Sequence, residues 1–137
     1  LKGRVALDQR IDEILGDNEQ RFGLKPAEAQ SIAGRFAAII RHAHVQSGQR
    51  VVVLVDEYDK PILDNITDAD MARQMRDGLR NFYSVIKDSD AHIRFAFLTG
   101  VSKFSKVSLF SGLNNLNDIT VDAPYSRHRR LHRSRCR

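Results

Sequence analysis

The apolar positions of this chain follow two rhythms. Ala29, Ile32, Ala33, Phe36, Ala37 and Ile40 recur at three- and four-residue spacing, which lays one apolar stripe along a helix. Pro26 suits the first turn of that helix and Ser47-Gly48 its end, so the pattern predicts a helix of roughly 20 residues. The same spacing returns in Met71, Met75, Leu79, Phe82 and Ile86. Thr67, with Asp70 three residues later, predicts where this second helix starts: a hydroxyl on a backbone N–H and a carboxylate reaching back. The methionine pair reads as core filler rather than as a ligand site. In between, Val51-Val52-Val53-Leu54-Val55 is continuously apolar, the pattern of a strand buried on both faces of a parallel sheet. Ile93 to Leu98 predicts a second strand, closed by Thr99-Gly100. Residues 1–24 are mixed and weakly patterned, and Val5, Ile11, Ile14 and Leu15 permit a short helix there.

Strand, amphipathic helix and strand in this order make a βαβ unit. Its crossover is right-handed by strong default, so the strands at about 51–55 and 93–98 run parallel and their carboxyl ends share one edge. Ligands of open α/β sheets bind at that edge. The predicted fold class is therefore α/β with a parallel sheet.

Composition adds limits. The 137 residues are 42% hydrophobic and 28% charged, as in an ordinary globular domain. No apolar run approaches membrane-spanning length. The one cysteine, Cys136, excludes an internal disulfide framework and a cysteine-rich zinc site; a reducing, cytoplasmic setting is expected. No signal peptide is visible, although the chain opens at Leu1 without a methionine. The net charge of +5 is local: residues 127–137 hold six arginines and no acid. Removing those six from the 22 basic residues leaves 16 against 17 acidic ones, so the body carries a net −1. A basic tail of this kind binds phosphates non-specifically, which keeps a nucleic-acid partner open as a weak alternative.

The chemistry concentrates in VVVLVDEYDKP, residues 51–61. An apolar strand ending in Asp-Glu is how P-loop NTPases mount a metal-holding acid at a rigid tip. On that reading Asp56 binds Mg²⁺, through a water because Mg²⁺ dehydrates reluctantly, and Glu57 orients the attacking water. The same run also fits an ordinary buried strand followed by an acidic turn; the βαβ setting favours the first. In FAFLTGVSKFSK, residues 95–106, Thr99 is expected beside Asp56 with its hydroxyl near the γ-phosphate or the lytic water. Gly100 would allow a tight exit from the strand. Ser102 and Lys103 are candidate phosphate-side partners, against the alternative of a solvated loop. Asp59 and Lys60 read best as a solvated turn, with pairing to each other or to a neighbouring segment as the alternative. His42 and His44 flank a helix end, where imidazoles favour the negative dipole, and are not spaced as a metal site.

Together, LVDEYDKPILDN (54–65) and FYSVIKDSDAHIRFAFLTGVSKFSKVSLFSGLNNLNDIT (82–120) resemble the predicted AAA-ATPase-like domain of bacterial proteins, a family often fused to a C-terminal restriction-endonuclease-like, PD-(D/E)XK domain. The resemblance covers about residues 26 to 122. It implies an α/β, partial P-loop NTPase-type three-layer fold with a parallel sheet, ATP and Mg²⁺ as cofactors, Asp56 and Glu57 as the Walker B pair, and Thr99 in the place of a sensor residue. The family's glycine-rich phosphate-binding loop is expected upstream, since no GxxxxGK[ST] occurs in this chain. Residues 1–122 are then expected to be a fragment carrying the hydrolysis half of a nucleotide site, itself inactive, with the nuclease-like domain as a partner in the parent chain.

A non-catalytic interaction module, presenting the Asn-rich loop 114–117 on an α/β scaffold, is the rival reading. Residues 123–137 look foreign to the domain. The resembling family continues here with Gly-Tyr-Thr-Glu, and codons exist for Arg130 to Cys136 that read Gly-Tyr-Thr-Glu-Ala-Asp-Val one base later. The tail is therefore expected to be a reading-frame artefact.

Overall fold

The computed structural model describes residues 3–25, 30–101 and 109. Its elements in chain order are helix α1 (Arg4–Phe22), helix α2 (Ile32–Ser47), strand β1 (Val51–Val55), the short helix α3 (Lys60–Leu63), helix α4 (Ala69–Asp88), a 3₁₀ turn (Asp90–His92) and strand β2 (Ile93–Leu98). The described residues are thus mixed α/β, mostly helical, with a two-stranded parallel sheet.

The weak pattern of the first 24 residues conceals a 19-residue helix rather than a short one. Its buried face is Leu7, Ile11, Leu15 and Glu19, each one turn after the last. Val5 and Ile14, which suggested the element, are exposed. The stripe is hard to read because its fourth member is charged. Glu19 is buried against α2, where the Arg35 guanidinium meets it as a fork, Nε on Oε1 and Nη2 on Oε2, each at 2.8 Å. Arg35 also donates to Asp12. Gly23, in the left-handed region at φ 66°, ends α1 as its N–H reaches the Gln20 carbonyl and that of Leu24 the Glu19 carbonyl.

Helix α2 has 16 residues rather than roughly 20, and starts when the Ser31 hydroxyl accepts the Gly34 N–H. Pro26 and Ala29 lie outside the described residues. Gly48, at φ 68°, closes it where expected. Helix α4 also starts later than Thr67 suggests: Asp68 is the cap, with Oδ1 accepting the Met71 N–H at 3.1 Å. The Asp68 carboxylate, in extended backbone, takes the place expected for the hydroxyl one residue earlier. Met75, Leu79 and Ile86 are buried, as their spacing predicts, and Phe82 stacks on Phe36 with ring centroids 4.6 Å apart.

Both strands lie where the sequence puts them, parallel, with Val53 beside Ala96 and Val55 beside Leu98. The expected burial of both faces is not met among the described residues. Val51, Val53 and Val55 face the helices, and join Leu7, Ile40, Met75, Leu79 and Ile93 in one core. On the other face Val52, Leu54, Phe95 and Phe97 are exposed, Leu54 by 72%. A continuous apolar run specifies two faces to cover, and the described helices cover one. Among the described residues no helix is long and apolar enough to cross a membrane.

Candidate functional site

Parallel pairing ends with Val55 beside Leu98, so the next residue of each strand, Asp56 and Thr99, emerges at the same sheet edge. The ladder runs one step further, with Thr99 N–H on the Val55 carbonyl at 2.8 Å and Tyr58 N–H on the Thr99 carbonyl at 2.9 Å. Between these rungs the Thr99 hydroxyl donates to Asp56 Oδ1, and its oxygen accepts the Glu57 N–H at 3.1 Å. One hydroxyl therefore ties the side chain of Asp56 to the backbone of Glu57. Both carboxylates are exposed to solvent.

Glu57 is the one residue other than glycine with a positive φ, 53°, among those described. A side chain in the left-handed region costs on the order of 1 kcal/mol and persists where surrounding contacts impose it. Here they are the Thr99 hydroxyl on the Glu57 N–H and the Lys60 N–H on the Glu57 carbonyl. Periodicity carries no signal for such a turn.

The two residues after Glu57 turn inward. Tyr58 is buried and its ring lies across Gly100, so close that a Cβ there would sit 2.2 Å from Tyr58 Cε1. Gly100 therefore admits the tyrosine ring, a need more specific than a tight strand exit. Asp59 is not part of a solvated turn: it is fully buried, and both its oxygens lie within hydrogen-bond reach of the Val101 N–H, at 3.2 and 3.0 Å. Lys60 stays exposed and reaches Asp64 at 3.8 Å. Behind the turn, the Tyr83 hydroxyl of α4 donates to the Tyr58 carbonyl at 3.2 Å. Burial, then the negative charge of Asp59, pushes the Tyr83 phenol well above its ordinary pKa, so it remains a donor. Tyr58, Asp59 and Tyr83 were not singled out from the sequence as site residues. The available signal was a lone aromatic inside an acidic turn, which marks one side of that turn as buried.

Ser102 and Lys103, the loop 114–117 and the arginine-rich tail lie outside the described residues. His42 takes the Phe22 carbonyl at 3.0 Å, and His44 meets His92 with Nδ1 atoms 2.9 Å apart. Among the described residues no three His, Cys, Asp or Glu side chains group around a metal position. The donors at the sheet edge are hard oxygens, from Asp56, Glu57 and Thr99. Such a sparse oxygen set fits Mg²⁺, which keeps several of its waters, and not a transition metal in an all-protein cage.

The model of the family described as "Predicted AAA-ATPase" matches residues 1–110. The chain belongs to this predicted AAA-ATPase family. A relative from Azotobacter chroococcum mcd 1, described as "Uncharacterized protein in vnfD 5'region", is 65% identical over 120 residues. That alignment takes in 88% of this chain and 23% of the relative, so the chain spans about a quarter of the length of the protein it matches. No solved structure matches the chain. The family's match covers α1 to β2, so it contains the whole sheet edge described above.

Proposed function

We propose that this chain carries the hydrolysis half of an ATP·Mg²⁺ site of P-loop type. Asp56 holds hydrated Mg²⁺, Glu57 orients and polarises the water that attacks the γ-phosphate, and Thr99 senses that phosphate or water. The single observation that carries the reading is the hydrogen-bonded unit of Asp56, Thr99 and Glu57 at the shared carboxyl edge of two parallel strands. That edge is where α/β sheets bind nucleotides. Family membership supports the same reading. The exposed face of Val52, Leu54, Phe95 and Phe97 is where a three-layer fold would seat a second helical layer.

Asp56 would hold the Mg²⁺, whose positive charge would offset the negative charge developing in the transition state. Most phosphate affinity in such sites comes from the backbone amides and lysine of a glycine-rich loop. No such motif lies in these 137 residues. On this reading a longer parent chain would supply that loop, and residues 1–122 alone would bind ATP too weakly to turn it over.

Two measurements test this. In the full-length protein Glu57→Gln keeps ATP binding and slows turnover by about a hundredfold or more, the scale of a lost general base. Asp56→Ala instead weakens Mg²⁺-dependent ATP binding. Normal turnover by Glu57→Gln at saturating ATP would remove Glu57 from the role. Calorimetry of the 137-residue chain with Mg²⁺-ATP should show no saturable binding at micromolar concentrations; tight stoichiometric binding would refute the half-site.

A further inference from the structure

The turn after β1 and the exit from β2 are fastened residue by residue. Asp56 and Glu57 meet the Thr99 hydroxyl, the Tyr58 N–H meets the Thr99 carbonyl, the Tyr58 ring lies on Gly100, and Asp59 takes the Val101 N–H. Of the residues making these contacts, Asp59 is buried deepest. Val101 itself is 84% exposed, so the pull on its backbone comes from inside the protein.

Asp59 also breaks a local rule. It stands at the N-cap of α3, where an aspartate side chain normally accepts the N–H of the second or third helical residue. It makes no such bond. Its carboxylate reaches instead across 42 residues of sequence to Val101. Burying a charge is costly unless hydrogen bonds compensate it. A local preference given up for a long-range bond marks a constraint that the fold imposes at this place.

We propose that Asp59 is the positioning residue of this site: its buried carboxylate clamps the β2 exit at Val101 and thereby sets the Thr99 hydroxyl between Asp56 and Glu57. Thr99 is held from before by the β ladder at Val55 and from after by Asp59 two residues on. The Tyr58 ring fills the gap at Gly100, and the Tyr83 hydroxyl ties the clamp to α4. Asp59 touches no reacting atom, and acts through Thr99. The consequence for turnover rests on the hydrolysis reading; the clamp itself does not.

The test uses Asp59→Asn, which keeps the shape and one acceptor, and Asp59→Ala, which keeps neither. Residue-resolved amide exchange on the 137-residue chain is the first readout. Exchange at Glu57, Tyr58 and Val101 should quicken by about tenfold or more in Asp59→Ala, and less in Asp59→Asn, while Met75 and Leu79 in α4 stay within about twofold of wild type. Unchanged exchange at Glu57 and Tyr58 overturns the clamp. Equal loosening throughout α4 in both variants overturns it too, because Asp59 would then be a core residue without a positioning role. The second readout is ATP turnover by the full-length protein. There kcat should fall by about tenfold to a hundredfold, in the order alanine worse than asparagine, with KM for ATP within about twofold. A raised KM with unchanged kcat overturns the link to Thr99. A wild-type protein without ATP turnover would sink the hydrolysis reading alone, and amide exchange would still decide the clamp.

Discussion

The Thr99 hydroxyl stands between the two acids at the end of β1, donating to Asp56 Oδ1 while accepting the Glu57 N–H at 3.1 Å. It fixes a side chain on one side and a positive-φ backbone on the other. Thr99→Val keeps the shape and removes both bonds. Stability should fall by about 1 kcal/mol, the net worth of a hydrogen bond at a half-buried position. Turnover of the full-length protein should fall by about tenfold or more, because misplaced catalytic groups lose far more rate than stability. Thr99→Ser retains both bonds and should stay near wild type. Urea unfolding and steady-state turnover separate the two effects, and full activity in Thr99→Val would rule out the role given to this hydroxyl.

Gly100 is held to glycine by Tyr58. A methyl group there would lie 2.2 Å from Cε1 and 2.6 Å from Cδ1 of a buried ring that has little room to yield. Gly100→Ala should destabilise the fold by about 1–3 kcal/mol, the usual cost of overpacking. In a Tyr58→Ala background the same change should cost much less, since the clash has gone. The measurement is a double-mutant cycle from denaturant unfolding; additive effects would show that the ring is not the obstacle.

Two groups tilt the pH dependence in opposite directions. Hydrogen bonds from Arg35, working against burial, hold Glu19 below its ordinary pKa of 4.5 in the folded chain. The unfolded chain then binds the proton first as pH falls. Stability from this pair is therefore complete above pH 4.5 and is lost as pH drops through the lowered folded value. Tyr83 is raised above its ordinary 10.0 by burial, so its contribution is complete below pH 10.0 and is lost as pH climbs past that value toward the folded pKa. The stability gap between wild type and Glu19→Gln should be about 2 kcal/mol at neutral pH and shrink in acid. The gap to Tyr83→Phe should be flat from about pH 6 to 9 and close in alkali. Urea midpoints across pH give both curves, and parallel curves for variant and wild type would contradict the assigned pairs.

Val52, Leu54, Phe95 and Phe97 form an exposed apolar face on a sheet whose described strands number two. Such faces and open edges promote self-association. Replacing Leu54 and Phe95 together by threonine should reduce association of the 137-residue chain in sedimentation while changing stability by less than about 1 kcal/mol. No change in association would exonerate this face.

What the sequence determined by itself is whatever depends on neighbours within a few residues. Val51–Val55 and Ile93–Leu98 were legible as strands because nearly every side chain in them is apolar, and β-branched residues favour the pleat. Gly48 as the end of α2 and the Met75, Leu79 and Ile86 stripe of α4 were legible for the same local reason. Even the meeting of Asp56 and Thr99 was expected, since the βαβ crossover brings the carboxyl ends of both strands to one edge. The tertiary structure alone decided what depends on distant partners. Arg35 made a charged residue, Glu19, part of the α1 core face and so hid a 19-residue helix from its own pattern. Val101 drew Asp59 out of solvent, Thr99 bent Glu57 into the left-handed region, and Tyr58 explains Gly100. Each of these needs two segments brought together across at least 16 residues of chain. No periodicity of three or four residues can carry such a contact, because the free energy that selects it exists only once the core has closed.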